Sequence, residues 1–166
     1  MRKNLIIFFI FSSFSLLGQE KPIVIKKNEL KLNLAYSIVG FPEITFERIL
    51  RKNQGLGFSY AFSPENFSLI DYIFIPYYRF YFGEKVASGF FIEGNCAFFV
   101  DRFNDDFTIT SENEYGLGIG AAVGYKILTK RNRIVEFYLG GGPNFLEVDK
   151  STEVYPRLGI TIGKRF

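Results

Sequence analysis

The sequence predicts an all-β fold: an eight-stranded antiparallel transmembrane β-barrel preceded by a cleaved signal peptide. The last stretch of chain carries the first argument. Phe166, Ile162, Ile160 and Leu158 fall on one face, while Arg165, Gly163, Thr161, Gly159 and Arg157 fall on the other. Period two with one apolar face and one small or charged face describes a strand whose two sides meet different surroundings. The start of the chain carries the second argument. Arg2 and Lys3 precede an apolar run over residues 5–17, shorter than the roughly 20 residues of a membrane-spanning helix and typical of a secretory signal. The third is composition: 21 Phe and 10 Tyr in 166 residues are more large rings than a soluble domain of this size readily buries, whereas a membrane-facing belt uses them.

Gly18 ends the apolar run, so cleavage is expected after it. Residues 1–18 are then the signal peptide, 19–29 a periplasmic N-terminal segment and 30–166 the barrel. What remains has a single-domain length. Losing Arg2 and Lys3 lowers the formal charge from +3 to +1. The remaining cations are dispersed, which argues against nucleic acid as a partner. Cys96 is the one cysteine, so no internal disulfide forms. It falls on the apolar face of its strand, as a small hydrophobe. No cysteine stands at the cleavage site, so the chain does not read as a lipoprotein.

Eight alternating segments follow, at lengths suited to tilted membrane strands. In the first, Leu30, Leu32, Leu34, Tyr36 and Ile38 face outward against Lys31, Asn33, Ala35 and Ser37. The second sets Ile44 and Phe46 against Thr45 and Glu47; the third sets Leu56, Phe58, Tyr60 and Phe62 against Gly57, Ser59 and Ala61. The fourth is aromatic on both faces. The charge of Arg79 fixes its parity, with Phe74, Tyr78, Phe80 and Phe82 outward. The fifth turns Phe90, Ile92, Cys96, Phe98 and Val100 out and Glu93, Asn95 and Ala97 in. In the sixth, Tyr115, Leu117, Ile119, Ala121, Val123, Tyr125 and Ile127 oppose Gly116, Gly118, Gly120, Ala122, Gly124 and Lys126. The seventh sets Val135, Phe137 and Leu139 against Glu136, Tyr138 and Gly140. The eighth is the strand that ends at Phe166.

The connections alternate in length and charge. Short basic turns are expected at 51–54, 83–85 and 129–133. Long loops are expected at 101–114 and 144–154, a medium one at 63–71 and a tight one at 40–42. Short periplasmic turns and longer extracellular loops are the usual barrel arrangement. Acid gathers on the long-loop side, in Asp101, Asp105, Asp106, Glu112 and Glu114 and again in Glu147, Asp149 and Glu153.

A strand closed by a terminal aromatic resembles the last strand of bacterial outer-membrane barrel proteins, and the whole mature chain resembles the small OmpA or OmpX kind. More narrowly, Ile75-Pro76-Tyr77-Tyr78-Arg79-Phe80-Tyr81-Phe82 and Gly89-Phe90-Phe91-Ile92-Glu93-Gly94 resemble a family of uncharacterised barrels from Bacteroidota. The resemblance implies export to the Gram-negative outer membrane and contact with its lipid and lipopolysaccharide. It also implies Phe166 as part of the signal read by the barrel assembly machinery. The OmpA peptidoglycan-binding domain has no counterpart here.

The residues weigh against most chemistry. Gly116-Leu117-Gly118-Ile119-Gly120-Ala121 matches a dinucleotide-binding pattern on paper, but its glycines continue at period two to Gly124 inside a strand, with no following helix. The chain contains no His, which removes the Ser-His-Asp constellation and His-ligated zinc. Asp101, Asn104, Asp105 and Asp106 miss the EF-hand pattern, so no metal site and no cofactor are expected. The inward charges Lys31, Glu47, Arg79, Glu93, Lys126, Glu136, Arg157 and Arg165 form the constellation of interest. Inside an eight-stranded barrel, just wide enough for side chains to fill, they must pair. They read as a structural plug, with Glu93 and Glu136 as the candidate acid–base pair on a functional reading. The expected function is therefore a non-enzymatic barrel, structural or partner-binding through its acidic extracellular loops, with an envelope protein as the partner. An apolar-ligand carrier of the lipocalin kind and a lipid-modifying barrel enzyme are the alternatives.

Overall fold

The computed structural model describes residues 26–63, 70–103, 112–146 and 153–166. The expected signal peptide, and the N-terminal segment as far as residue 25, lie outside them. Eight strands form one closed barrel in sequence order: β1 (Asn28–Asn33), β2 (Glu43–Arg51), β3 (Gln54–Phe62), β4 (Ile70–Tyr81), β5 (Gly89–Phe103), β6 (Glu112–Leu128), β7 (Arg133–Pro143) and β8 (Val154–Arg165). Every pairing is antiparallel. Closure comes from β1 against β8, with Glu29 opposite Arg165, Lys31 opposite Gly163 and Asn33 opposite Thr161. Asn28 and Phe166 extend the seam by exchanging backbone hydrogen bonds at 3.1 and 2.8 Å. A closed sheet leaves no edge strand to template aggregation.

The alternation of the sequence becomes two walls. Outside stand Leu56, Phe58, Tyr60 and Phe62 of β3, Ile119, Val123, Tyr125 and Ile127 of β6, and Ile160 and Ile162 of β8, all exposed. Inside stand small, aromatic and charged residues. The glycines of β6 give the interior rings their room: a methyl group at Gly116 would overlap the Phe99 ring, and one at Gly118 the Tyr155 ring.

Three local expectations are corrected. The first strand ends at Asn33, and Leu34–Ile38 form a short helix, α1. Asn33 caps it, its side chain accepting from the Tyr36 N–H, and Ser37 donates back to the Asn33 carbonyl at 2.6 Å. Asparagine is a favoured N-cap, and that local bonding overrides the continued alternation of Leu34, Tyr36 and Ile38. Val100 keeps its outward parity, opposite the exposed Tyr72 and Tyr115, and is nonetheless buried. The β4–β5 register shifts between Ile70 and Tyr72, just beyond the Tyr72–Val100 pair. The β4–β5 turn is longer than 83–85: β4 ends at Tyr81 and β5 begins at Gly89. Finally, β5 runs to Phe103 and β6 begins at Glu112, with Asp101 paired to Glu114. The loop expected over 101–114 is therefore paired strand at both ends.

The long β4–β5 turn folds back across the barrel end. Ala87 is fully buried among Ile49, Tyr81, Phe91 and Tyr138. Its N–H donates to the Lys52 carbonyl at 2.7 Å. Arg165 fixes it from the other side, donating to the Val86 and Ala87 carbonyls at 2.9 Å each.

Candidate functional site

The interior is filled by ionised groups. Glu29, Glu43, Glu47, Glu93 and Glu136 are buried there with Lys31, Arg79, Lys126, Arg157 and Arg165, so five carboxylates face five cations. The eight charges picked out by alternation all lie in this interior. Glu29 and Glu43 are the two that the sequence reading missed. Each stands two residues before an inward residue already identified, Lys31 and Thr45, so extending the alternation by one step would have found it.

The charges alternate in sign along the barrel. At the turn end Arg165 binds Glu29, with Nε–Oε1 at 2.8 Å and Nη2–Oε1 at 2.6 Å. Next come two ammonium groups that touch the same three carboxylates. Lys31 Nζ reaches Glu47 at 2.6 Å, Glu136 at 2.9 Å and Glu29 at 3.5 Å. Lys126 Nζ reaches Glu29 at 2.7 Å and both Glu47 and Glu136 at 3.1 Å. Arg79 follows, donating from Nε to Glu93 at 2.6 Å and from Nη1 to Glu136 at 3.0 Å and Glu47 at 3.2 Å. Towards the loop end Arg157 donates to Glu93 at 2.9 Å, Glu43 at 3.1 Å and Ser59 at 3.1 Å.

Aromatic side chains complete the packing. The Arg79 guanidinium lies 4.4 Å from the centre of the Tyr77 ring and 4.3 Å from that of Phe91, a cation–π arrangement that gains strength when desolvated. Hydroxyls take up remaining carboxylate lone pairs: Tyr138 donates to Glu43 at 2.7 Å, Tyr77 to Glu47 at 3.2 Å and Thr161 to Glu136 at 3.3 Å. At the rim, Tyr36 of α1 donates to the Pro156 carbonyl at 3.4 Å. Burial first, then the charge of Glu43, pushes its phenol up to about 12, which keeps it a neutral donor.

This geometry decides what the cluster can do. Glu29, Glu47 and Glu136 bring carboxylate oxygens within 4.8 Å of one another, a spacing that suits a metal ion. Both ammonium groups already bind all three, so a metal would have to displace them. Glu93 and Glu136 do not face a shared substrate space either, because Arg79 lies between them. The apolar face points outward, the reverse of an apolar-ligand carrier. Of the acidic loop residues, Asp105 and Asp106 lie outside the described residues. Asp101, Glu112 and Glu114 stand on paired strand backbone.

A closed eight-stranded antiparallel barrel with a filled polar interior and an apolar exterior is the OmpA-like class of small barrel. The chain belongs to the family described as "Protein of unknown function (DUF3575)", which matches residues 5–157. No curated protein matches the chain. Among solved structures, the N-terminal β-barrel domain of Pseudomonas aeruginosa OprF is similar, with a TM-score of 0.63 over 85% of this chain and 98% of that one. The two share 12% identity, so the likeness is one of fold.

Proposed function

We propose that the protein is a non-enzymatic barrel of the Gram-negative outer membrane whose filled lumen serves as a rigid scaffold. The observation that carries this reading is the inverted distribution of polarity. Ten charged groups are paired inside, while Leu139, Ile119 and Tyr125 stand more than half exposed outside, at 66%, 57% and 53%. Such a wall is stable only against hydrocarbon. No described helix is long and apolar enough to cross a membrane, so the crossing falls to the strands.

Several features belong to the same reading. The chain is exported with cleavage after Gly18 and is related to Bacteroidota barrels. Phe166 contributes to recognition by the barrel assembly machinery. The outer wall meets lipid and lipopolysaccharide. Recognition of an envelope protein falls to the acidic loop side, through Asp101, Asp105, Asp106, Glu112 and Glu114. The absence of His, together with interior carboxylates held by cations, supports a non-enzymatic role. Fractionation tests the proposal: the protein should be recovered with outer membranes and should migrate differently on SDS gels before and after boiling. Recovery in the soluble periplasm without that shift would overturn it.

A further inference from the structure

A groove of about 730 Å³ runs along the outer wall at the turn end of β7, β8 and β1. Leu30, Leu32, Ile44, Val135, Ile162 and Phe166 make it apolar, and Arg133 and Lys164 stand at its edge. No Asp or Glu side chain lines it. Arg133 and Lys164 are directly opposite each other in the β7–β8 register, both exposed on the outward face.

Like charges placed directly opposite destabilise a sheet, and the buried interior of this barrel avoids them or bridges them. Arg79 stands opposite Glu93, Lys126 opposite Glu136 and Glu29 opposite Arg165. Glu29 opposite Glu47 is a like-charge pair, and there Lys126 binds both carboxylates, at 2.7 and 3.1 Å. Among the described residues Arg133 and Lys164 have no such counter-ion. Lys52, Lys85, Lys130 and Arg131 add positive charge around the same barrel end, against Glu84.

We propose that this groove binds one anionic phospholipid of the leaflet at the turn end, its phosphate bridging Arg133 and Lys164 and an acyl chain lying along the apolar floor. The phosphate plays the part on the outer wall that Lys126 plays between Glu29 and Glu47 inside. The site rests on the membrane reading above and adds a particular lipid class and position to it. Juxtamembrane cations attract anionic headgroups, and the opposed pair with its adjoining groove turns that general attraction into a defined site.

The test uses the full chain refolded in detergent, with phosphatidylglycerol or phosphatidylethanolamine added and bound lipid counted by native mass spectrometry. The wild type should retain one phosphatidylglycerol in preference to phosphatidylethanolamine. The double variant Arg133→Gln with Lys164→Gln should lower that retention by about tenfold or more. Lys130→Gln with Arg131→Gln removes the same charge from the turn tip and should keep the lipid. Equal loss in both double variants would reduce the site to a diffuse basic collar and overturn the proposal. Equal retention of the two lipids by the wild type would overturn it as well. The heat-dependent gel shift separates the two levels of the argument. A wild type that never shifts defeats the membrane barrel itself, whereas one that shifts but retains no phosphatidylglycerol defeats the site alone.

Discussion

Replacing Arg79 with alanine removes the cation that joins the two halves of the interior network. Five carboxylates would then face four cations. The loss is unequal across its partners. Glu47 and Glu136 keep Lys31 and Lys126, whereas Glu93 keeps Arg157 alone among the cations. The rings of Tyr77 and Phe91 would also lose the guanidinium between them. Breaking a buried ion pair from one side costs about 3 to 5 kcal/mol. With a urea slope of about 2 kcal/mol per M, a loss of 4 kcal/mol lowers the unfolding midpoint by about 2 M. The assay is urea unfolding in lipid vesicles, followed by the heat-dependent gel shift. A double-mutant cycle of Arg79→Met with Glu93→Gln supplies the control, because it leaves four charges of each sign. The two changes should couple by about 0.5 to 3 kcal/mol, making the double variant more stable than the sum of the singles implies. An unchanged midpoint for Arg79→Ala, or strict additivity in the cycle, would refute the view that charge balance holds the interior together.

Three further outcomes follow from the same geometry. Gly159→Val should destabilise by about 1 to 3 kcal/mol, as overpacking does, because the new side chain meets the Tyr138 ring and Asn33; Ile160→Val on the outer wall should stay within about 0.5 kcal/mol, and equal effects in a denaturation series would mean the faces are misassigned. Arg165→Ala should free the 82–88 turn, read as faster amide exchange at Ala87, whose N–H now binds the Lys52 carbonyl; unaltered exchange there would show that Arg165 does not hold it. In planar bilayers the protein should show little steady conductance, since the ion pairs from Arg165 to Glu43 occupy the lumen; large stable current steps would contradict a filled interior.

Much of this architecture was legible because β-strands encode their two faces at a fixed period. The run from Tyr115 to Ile127 states both walls of β6 outright, and Arg79 settles the parity of an otherwise ambiguous aromatic strand. The misses share a physical cause: each lies where a local interaction breaks the period or a strand ends. Asn33 starts a helix through its own side chain, although Leu34, Tyr36 and Ile38 continue the alternation. Glu29 and Glu43 lie at the starts of their strands, beyond the expected limits. The partners within the lumen were not legible at all. Lys31 reaches Glu136, 105 positions away, and only closure of the barrel brings them together.

Which wall faces inward is decided by volume as much as by charge. A slip of one residue would turn every side chain of a strand to the other face, and for β6 it would bring Leu117, Ile119, Val123 and Tyr125 into a lumen that eight strands leave only wide enough for close-packed side chains. The Phe99 and Tyr155 rings already fill the space over Gly116 and Gly118. The flipped register would therefore collide with them before its electrostatics mattered. It would also withdraw Lys126 from the three carboxylates that it joins, leaving one cation fewer for five buried acids. Packing and charge thus select the same register through independent physics, and a single strand cannot satisfy one while violating the other. That agreement explains how a barrel with ten charged groups inside can still specify one structure.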